Sequence, residues 1–595
     1  MKPEHFTAVC RYISSKPGAS QRELASEANL SLGLVNNIIK ECISAGYLID
    51  PDNKKRKFTL TPEGQKYLNE FKVKNAIILA AGFGSRFVPL TFETPKGLLE
   101  VHGQPMIERQ IEQLIEKNIT DITIVVGYKK ENFDYLIDKY NVNLVFNPEY
   151  AKKNNLSSLY HVRDKLIGSY ILMSDFWIEK NIFNQYEAQS WYSCIYNEGI
   201  TSEWCVTASA FDKIESIKIG GNDSWVLIGP AYFNPELSGI LKNHIIEYYN
   251  RPGTDDQYWE QVLIDHIKTM PVYMNKQSGN VHEFENLEEL RLFDPSYNES
   301  SNSPIMKSTA EIFKVSEDKI HNIKPVKVGM TNRSFLFTHE NIQYIMRIPG
   351  EGTDMMINRK QEYNIYQIIS PLNISDEVIY IDPDTGYKIT KYIENARVCN
   401  PSDISDVKAC MKKLREFHNM KLSADHVFDI FERIDYYESL WLKPESCFRD
   451  YIETKNNIMK LKEYIDSVEK DWILTHIDAV PDNFLFEEDN EKQNIRLIDW
   501  EYSGMQDPHV DIAMFAVYSM YDKEQIDTLI DCYFTEGCSS KAKTKIFAYI
   551  AMCGLLWSNW CEYKSHMGVE FGEYSLRQYR YAKDYYRIIE KEIQK

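Results

Sequence analysis

Apolar residues recur at helical spacing through the first stretch of the chain and mostly at strand spacing after it. From His5 to Ser14 they fit one helix. Ser20-Gln21-Arg22-Glu23 is a capping box opening a second, and Ser31 caps a third whose apolar face is Leu34, Val35, Ile38, Ile39 and Ile43. Gly46-Tyr47-Leu48-Ile49 and Lys57-Phe58-Thr59-Leu60 flank the polar turn Asp50 to Arg56, which predicts a hairpin. From Ala76 to about Pro295 short apolar runs alternate with amphipathic stretches: strand Ala76–Leu79, helix Met106–Lys117, and strands at Ile122–Val126, Leu144–Asn147 and Tyr170–Met173. Such alternation predicts a mostly parallel sheet with helices on both faces. The polar break Pro295–Pro304 reads as a linker. Beyond it come a turn between strands at Gly329–Ser334, a strand at Tyr344–Gly350, a helix bearing Glu362 and a strand at Ile495–Ile498.

Size and charge narrow the classes. A chain of 595 residues is too long for one core, and ordinary domain sizes give about three to five. The 43% apolar content allows real cores. No apolar run approaches the ~18 residues that cross a bilayer, and the start lacks a signal peptide's apolar centre, so a cytoplasmic protein without a membrane span is expected. The eleven cysteines form no C-x-x-C pair, which gives no support to zinc or a disulfide framework. A net charge of -19 argues against wholesale nucleic-acid coating. Residues 1–72, with eleven Lys and Arg against eight Asp and Glu, are the exception.

The chemistry begins where the first strand ends. Ala80-Ala81-Gly82-Phe83-Gly84-Ser85-Arg86 has almost no side-chain bulk, so backbone N–H groups can close on a phosphate chain. Arg86 and, after Thr94-Pro95, Lys96 are fixed cations suited to a triphosphate attacked at its α-phosphorus. Glycines alone would also fit a dinucleotide site, but the third glycine is missing and Pro-Leu-Thr and Pro-Lys follow. This run resembles nucleotidyltransferases that make NDP-activated metabolites. Asp175, just past a strand end, is a candidate metal ligand, and strand alternation would put Glu283 and Glu285 on one face beside it.

Three resemblances sharpen this reading. Residues 1–72 resemble a MarR-like winged helix-turn-helix, which implies that Asn36, Asn37 and Lys40 face DNA bases and that Lys54, Lys55, Arg56 and Lys57 on a wing touch phosphates. So few base-reading side chains leave DNA binding and a regulatory or dimerising role both open. Residues 73–298 carry G-S-R, P-K, V-V-G-Y, N-N-x-x-S-x-Y, Tyr258-Trp259 and a late acidic pair, and resemble bacterial CTP:phosphocholine cytidylyltransferases; Glu285 departs from that family's E-x-D. The resemblance implies CTP and phosphocholine. Trp204, Trp225, Tyr232 and Trp259, with Glu203, are candidates to surround a trimethylammonium group.

Residues 305–595 carry His476-Ile477-Asp478 with Asn483 five residues after the aspartate, then Asp499-Trp500-Glu501. This resembles choline kinases and aminoglycoside phosphotransferases. It implies Asp478 as the base, Asn483 and Asp499 as Mg²⁺ ligands beside ATP, and His476 as a brace. Arg347 and Glu362 would form the cation-carboxylate device that positions nucleotide in kinases, with Arg in place of Lys. Tyr518, Trp557 and Trp560, with Tyr521, Tyr563, Tyr579 and Tyr581, supply rings, and Glu501, Asp507 or Asp511 a carboxylate, for choline.

The expected fold is multidomain: an α-rich winged helix, an α/β Rossmann-like nucleotidyltransferase, then an α+β protein-kinase-like domain. The expected function is bifunctional, ATP-dependent phosphorylation of choline followed by cytidylyl transfer to give CDP-choline. Two rivals stay open: a sugar-1-phosphate nucleotidyltransferase joined to another small-molecule kinase, and a metabolite-sensing transcription regulator.

Overall fold

Ser20 and Ser31 each precede an apolar run, and their side chains accept the N–H groups of Glu23 and Leu34. With these caps the first three helices form at Pro3–Ser15, Gln21–Glu27 and Leu32–Ser44. The computed structural model describes the chain apart from residues 1, 51–56, 327–331, 351, 354, 444, 490–491, 570 and 594–595. The wing residues Lys54, Lys55 and Arg56 and the turn residues Gly329, Met330 and Thr331 therefore lie outside the described residues. Ile43 turns outward and is exposed, whereas Phe6, Val9, Leu24, Val35, Ile38 and Leu48 fill the small core.

That core also takes in Tyr186, more than a hundred residues away in sequence. The Tyr186 hydroxyl accepts from Gln65 Nε2 at 3.2 Å, and backbone bonds join Val73 to Gln185 and Glu187 to Phe71. The winged helix is thus built onto the following domain, inside one unit that spans Met1–Asp318; a second unit spans Lys319–Lys595.

The seven-stranded sheet of the first unit runs in the order Tyr273–Lys276, Trp191–Ala208, Ile214–Phe233, Ser169–Met173, Asn75–Ala80, Ile122–Val126 and Asn143–Phe146. Its pairs are parallel except on both sides of Ile214–Phe233. Strand alternation divides the core: Ile77, Leu79 and Ile171 face one layer, Ala76, Ile78 and Leu172 the other. The C-terminal ends of the central parallel strands deliver Ala81, Gly127 and Ser174 to one edge.

The expected linker is corrected. Within Pro295–Pro304 lies the helix Ser296–Glu299, and Pro304–Phe313 forms another. Its serines bind rather than solvate: the Ser303 hydroxyl and the Ile305 N–H reach Glu93, and the Ser301 N–H reaches Glu317 at 2.9 Å. Residues 305–318 consequently belong to the first unit, and the second begins at Lys319 rather than at 305.

The second unit opens with a five-stranded antiparallel sheet, ordered His321–Pro325, Asn332–His339, Ile342–Pro349, Lys388–Lys391 and Val378–Ile381. A helix, Arg359–Ile369, follows the third of these strands. The rest is mostly helical around the 27-residue helix Ser540–His566. Among the described residues no helix is long and apolar enough to cross a membrane.

Candidate active sites

The first cleft lies where the central parallel strands end. Gly84 takes the left-handed conformation, φ +68, and a Cβ there would stand 3.0 Å from Lys96 Cβ and 3.2 Å from Thr91 Cγ2. Only glycine lets the loop lie so close against the Thr91–Lys96 segment. Thr91 Oγ1 donates to the Gly84 carbonyl at 3.0 Å, which pins the two together. The backbone N–H groups of Gly82, Phe83 and Gly84 meet no acceptor among the described residues, an arrangement that suits an anion. Ala80 and Ala81 are buried at the strand end, while Gly82, Ser85 and Arg86 are exposed.

Lys96 Nζ donates to Asp175 Oδ2 at 2.7 Å. Arg86 pairs with Glu285, and exposure of its side chain (62%) makes this a pair of small net worth. Glu283 lies at the cleft rim, open to solvent yet hemmed in by protein; burial of its carboxyl and then the nearby charge of Asp175 push its pKa up to about 7. The expected alternation of Glu283 and Glu285 is corrected, because the strand stops at Glu283. Phe284 turns into the core and Asn286 caps the helix Leu287–Phe293, which swings Glu285 toward Arg86. Asp175, Glu283 and Glu285 do not converge to within 4.8 Å of one another.

The aromatic candidates separate. Trp259 is 1% exposed and stacks on Tyr192 with centroids 5.9 Å apart, so it is core, as is Tyr232. Its neighbour Tyr258 is the exposed ring of that pair and meets half-buried Trp204 edge-on at 5.7 Å. Trp225 packs edge-on against Tyr196. Sequence reading missed Glu260, which is buried between Tyr192 OH at 3.2 Å and Asn155 Nδ2 at 3.5 Å. Burial, reinforced by Glu283, pushes its pKa up to about 7.

In the second unit Arg347 Nη2 donates to Glu362 Oε2 at 2.8 Å and Nη1 stands 2.6 Å from Oε1, an ion pair sealed from water. Arg347 also reaches Asp499 at 3.4 Å and Glu501 at 3.3 Å. Burial alone would lower its pKa, but Glu362, Glu501 and Asp499 together hold it well above the usual guanidinium value. Glu501 spends one oxygen on this network, since Oε2 meets Arg347, Arg359 at 3.4 Å and Asn332 at 2.9 Å, while Oε1 has no hydrogen-bond partner among the described residues. Asp507 is spent on Lys545 at 2.6 Å, and Asp511 on the loop that carries His476 and Asp478.

That loop is tightly held. Asp511 accepts the N–H groups of His476 at 3.0 Å and Ile477 at 2.7 Å, and it also meets His418 Nε2 at 2.9 Å. These bonds keep β-branched Ile477 at φ +69, a conformation it would not adopt alone. His476 Nε2 bonds the Ile498 carbonyl at 3.0 Å and its ring lies against Trp500, so it braces the loop. Asn483 Nδ2 donates to Asp478 Oδ2 at 3.1 Å. Burial and then Asp499 and Glu501 push the Asp478 pKa well above the usual carboxylate value.

The charge of Asp478 adds to burial in raising the pKa values of Tyr437, Tyr502, Tyr518 and Tyr574. Tyr518 donates to Asp482 Oδ2 at 2.7 Å. Tyr502 meets Trp557 edge-on at 5.8 Å; Trp557 is 9% exposed and Trp560 behind it only 2%, which makes Trp560 a supporting core residue.

Both sites are short of positive charge. Glu362, Asp499 and Glu501 are the one group of acids, Cys or His among the described residues whose ligand atoms lie within 4.8 Å of one another. Burial and then neighbouring carboxylates raise the pKa of Glu283 in the first cleft and of Asp478 in the second, a crowding of acids that a hard divalent cation would relieve. Asp175 with Glu283 in the first unit and Asp499 with Asn483 in the second offer the hard oxygen donors that magnesium takes.

Comparison with known proteins agrees with this division. Residues 10–49 match the winged helix-turn-helix DNA-binding family, residues 75–190 the nucleotidyl transferase family and residues 323–551 the choline/ethanolamine kinase family. A choline-phosphate cytidylyltransferase of Streptococcus pneumoniae is 39% identical over 217 residues, 36% of this chain and 95% of that protein. A 2-aminoethylphosphonate cytidylyltransferase of Lancefieldella rimae is 36% identical over 228 residues, 38% of this chain and 93% of that one. Among solved structures, choline kinase LicA from Streptococcus pneumoniae is 26% identical, covering 48% of this chain and 98% of that one with a TM-score of 0.42.

Proposed function

Because the chain belongs to the choline-phosphate cytidylyltransferase family and continues into a choline/ethanolamine kinase segment, we propose that it makes CDP-choline in two steps, phosphorylating choline with ATP and then joining the phosphocholine to CTP. One observation carries this reading. Each unit has its own acid-and-cation set, Lys96 with Asp175 in the first and Asp478 with Asp499 and Arg347 in the second. We assign residues 1–72 to the winged helix, 73–318 to cytidylyl transfer and 319–595 to the kinase.

In the kinase site the Asp478 carboxylate takes the hydroxyl proton of choline as that oxygen attacks the γ-phosphorus of ATP. Asn483 holds the acid in line, and Arg347, fixed by Glu362, faces the phosphates. The rings of Tyr437, Tyr502 and Trp557 offer π-faces to the trimethylammonium group. In the cytidylyl site the loop from Ala81 to Ser85 cradles the triphosphate of CTP. Arg86 leaves Glu285 for it at small cost, and Lys96 opposes the charge that builds on the α-phosphate as pyrophosphate departs. When bound at Asp175 and at Asp499, magnesium would screen phosphate oxygens and draw the displaced groups into line.

The test is mass detection of products from the full chain with magnesium, ATP and CTP. Choline should yield CDP-choline, and supplied phosphocholine should react without ATP. A parallel panel of 2-aminoethylphosphonate and sugar 1-phosphates examines the acceptor, and preference for either over phosphocholine would overturn the choline assignment.

A further inference from the structure

The winged helix and the nucleotidyltransferase sheet meet along a seam that is not fully closed. Near the Tyr186 anchor it opens into a cavity of about 400 Å³, within the roughly 300–1,000 Å³ of small-molecule sites. The first helix contributes Glu4 and Arg11, and the sheet side contributes Glu187, Trp191 and Tyr273.

Glu187 is 8% exposed. Its Oε1 accepts from Tyr170 OH at 3.0 Å and Asn184 Nδ2 at 2.8 Å, while Oε2 stands 3.8 Å from Arg11 Nη1. A closed guanidinium-carboxylate pair would sit at roughly 2.7–2.9 Å. Among the described residues none accepts a hydrogen bond from Arg11. Arg11 and Glu187 thus form a loose ion pair on the wall of a cavity that Trp191 and Tyr273 also line.

This charge pattern selects its ligand. A simple anion would suit Arg11 but face Glu4 and Glu187. A simple cation would suit the acids and the rings but face Arg11. A molecule carrying both charges satisfies every group. We propose that this seam cavity is a binding site for a small zwitterion, its anionic group on Arg11 and its ammonium group against Glu187 and Trp191.

The site joins two working parts. The helix bearing Arg11 is packed into the winged-helix core through Phe6, Val9, Cys10 and Ile13. Glu187 holds Tyr170, on the strand that runs to Met173 and delivers Asp175. Occupancy therefore links the winged helix to the cytidylyl cleft. Phosphocholine has the required pair of charges, so the choice of probe rests on the function proposed above.

Hydrogen-deuterium exchange of the full chain tests the site. Phosphocholine should slow exchange severalfold in residues 3–15 and 182–191, whereas choline or inorganic phosphate alone should not. Arg11→Ala and Glu187→Gln should each remove that protection. Unchanged exchange in the first helix, protection that survives both substitutions, or equal protection by inorganic phosphate would overturn the proposal. Turnover of phosphocholine by the same preparations reports separately on the acceptor: seam protection without turnover would reject that reading and leave this one standing.

Discussion

Lys96 and Asp175 meet at 2.7 Å across the cytidylyl cleft, one from the segment after the phosphate loop and the other from the end of a central strand. The pair holds a cation beside the carboxylate expected to carry metal. Removing either partner leaves a charge uncompensated where charge must build during transfer. Lys96→Met and Asp175→Asn should each lower cytidylyl transfer by about 10²–10³, with choline phosphorylation unchanged as a fold control. Separate assays of the two half-reactions check this, and loss of both activities in a folded variant would show that the sites are not independent.

Arg347 occupies the place where kinases usually carry lysine, and its two Nη groups reach several acceptors at once. It grips Glu362 through two nitrogens, reaches Asp499 and Glu501, and bonds the Gly386 carbonyl at 3.3 Å. A lysine ammonium cannot span these acceptors. Arg347→Lys should raise the KM for ATP and lower kcat, for a combined loss in kcat/KM of about tenfold to a hundredfold from one to two lost charge-assisted bonds. Initial rates over an ATP series give the result; a wild-type kcat/KM would mean the network is dispensable.

Parts of both sites could be read directly from the chain because neighbours in sequence do the work. The loop from Ala80 to Arg86 needs only small residues and free N–H groups, and Asp478 and Asn483 share one loop. Other positions depend on packing that no local pattern encodes. Tyr258 and Trp259 are adjacent rings, and the helix that follows them decides which one is buried. Glu501 looks like a free acid until Arg347 and Arg359 arrive from a distant sheet and helix. The serines of Pro295–Pro304 have the composition of a linker, yet Glu93 and Glu317 turn them into anchors. Arg11 and Glu187 are separated by most of a domain, so no local pattern reveals their pairing.

Asp511 lies outside the catalytic motif but holds it in shape. Its two oxygens take the N–H groups of His476 and Ile477 and keep Ile477 at positive φ. Asp511→Asn would turn an amide donor toward at least one of those N–H groups, at a cost of about 1–3 kcal/mol for the buried bond lost. The kinase kcat should fall by at least about tenfold because Asp478 loses its aim, while KM for ATP stays close to wild type, since Arg347 and Glu362 are untouched. A change confined to KM would contradict a positioning role.

Glu260 ties stability of the first unit to pH. Its folded pKa is about 7 against an ordinary 4.5, so between these values the native state holds a proton that the unfolded state has released. Rising pH therefore favours unfolding across that window, and the penalty is constant above it. Integrated over the shift, the penalty reaches up to about 3 kcal/mol. Glu260→Gln keeps the shape and a donor-acceptor pair for Tyr192 and Asn155 but cannot ionise. Relative to wild type, the variant should gain little near pH 4.5 and progressively more toward pH 8. Urea midpoints of the first unit, followed through its own tryptophans at several pH values, measure the difference; a constant offset across the range would show that Glu260 does not titrate there.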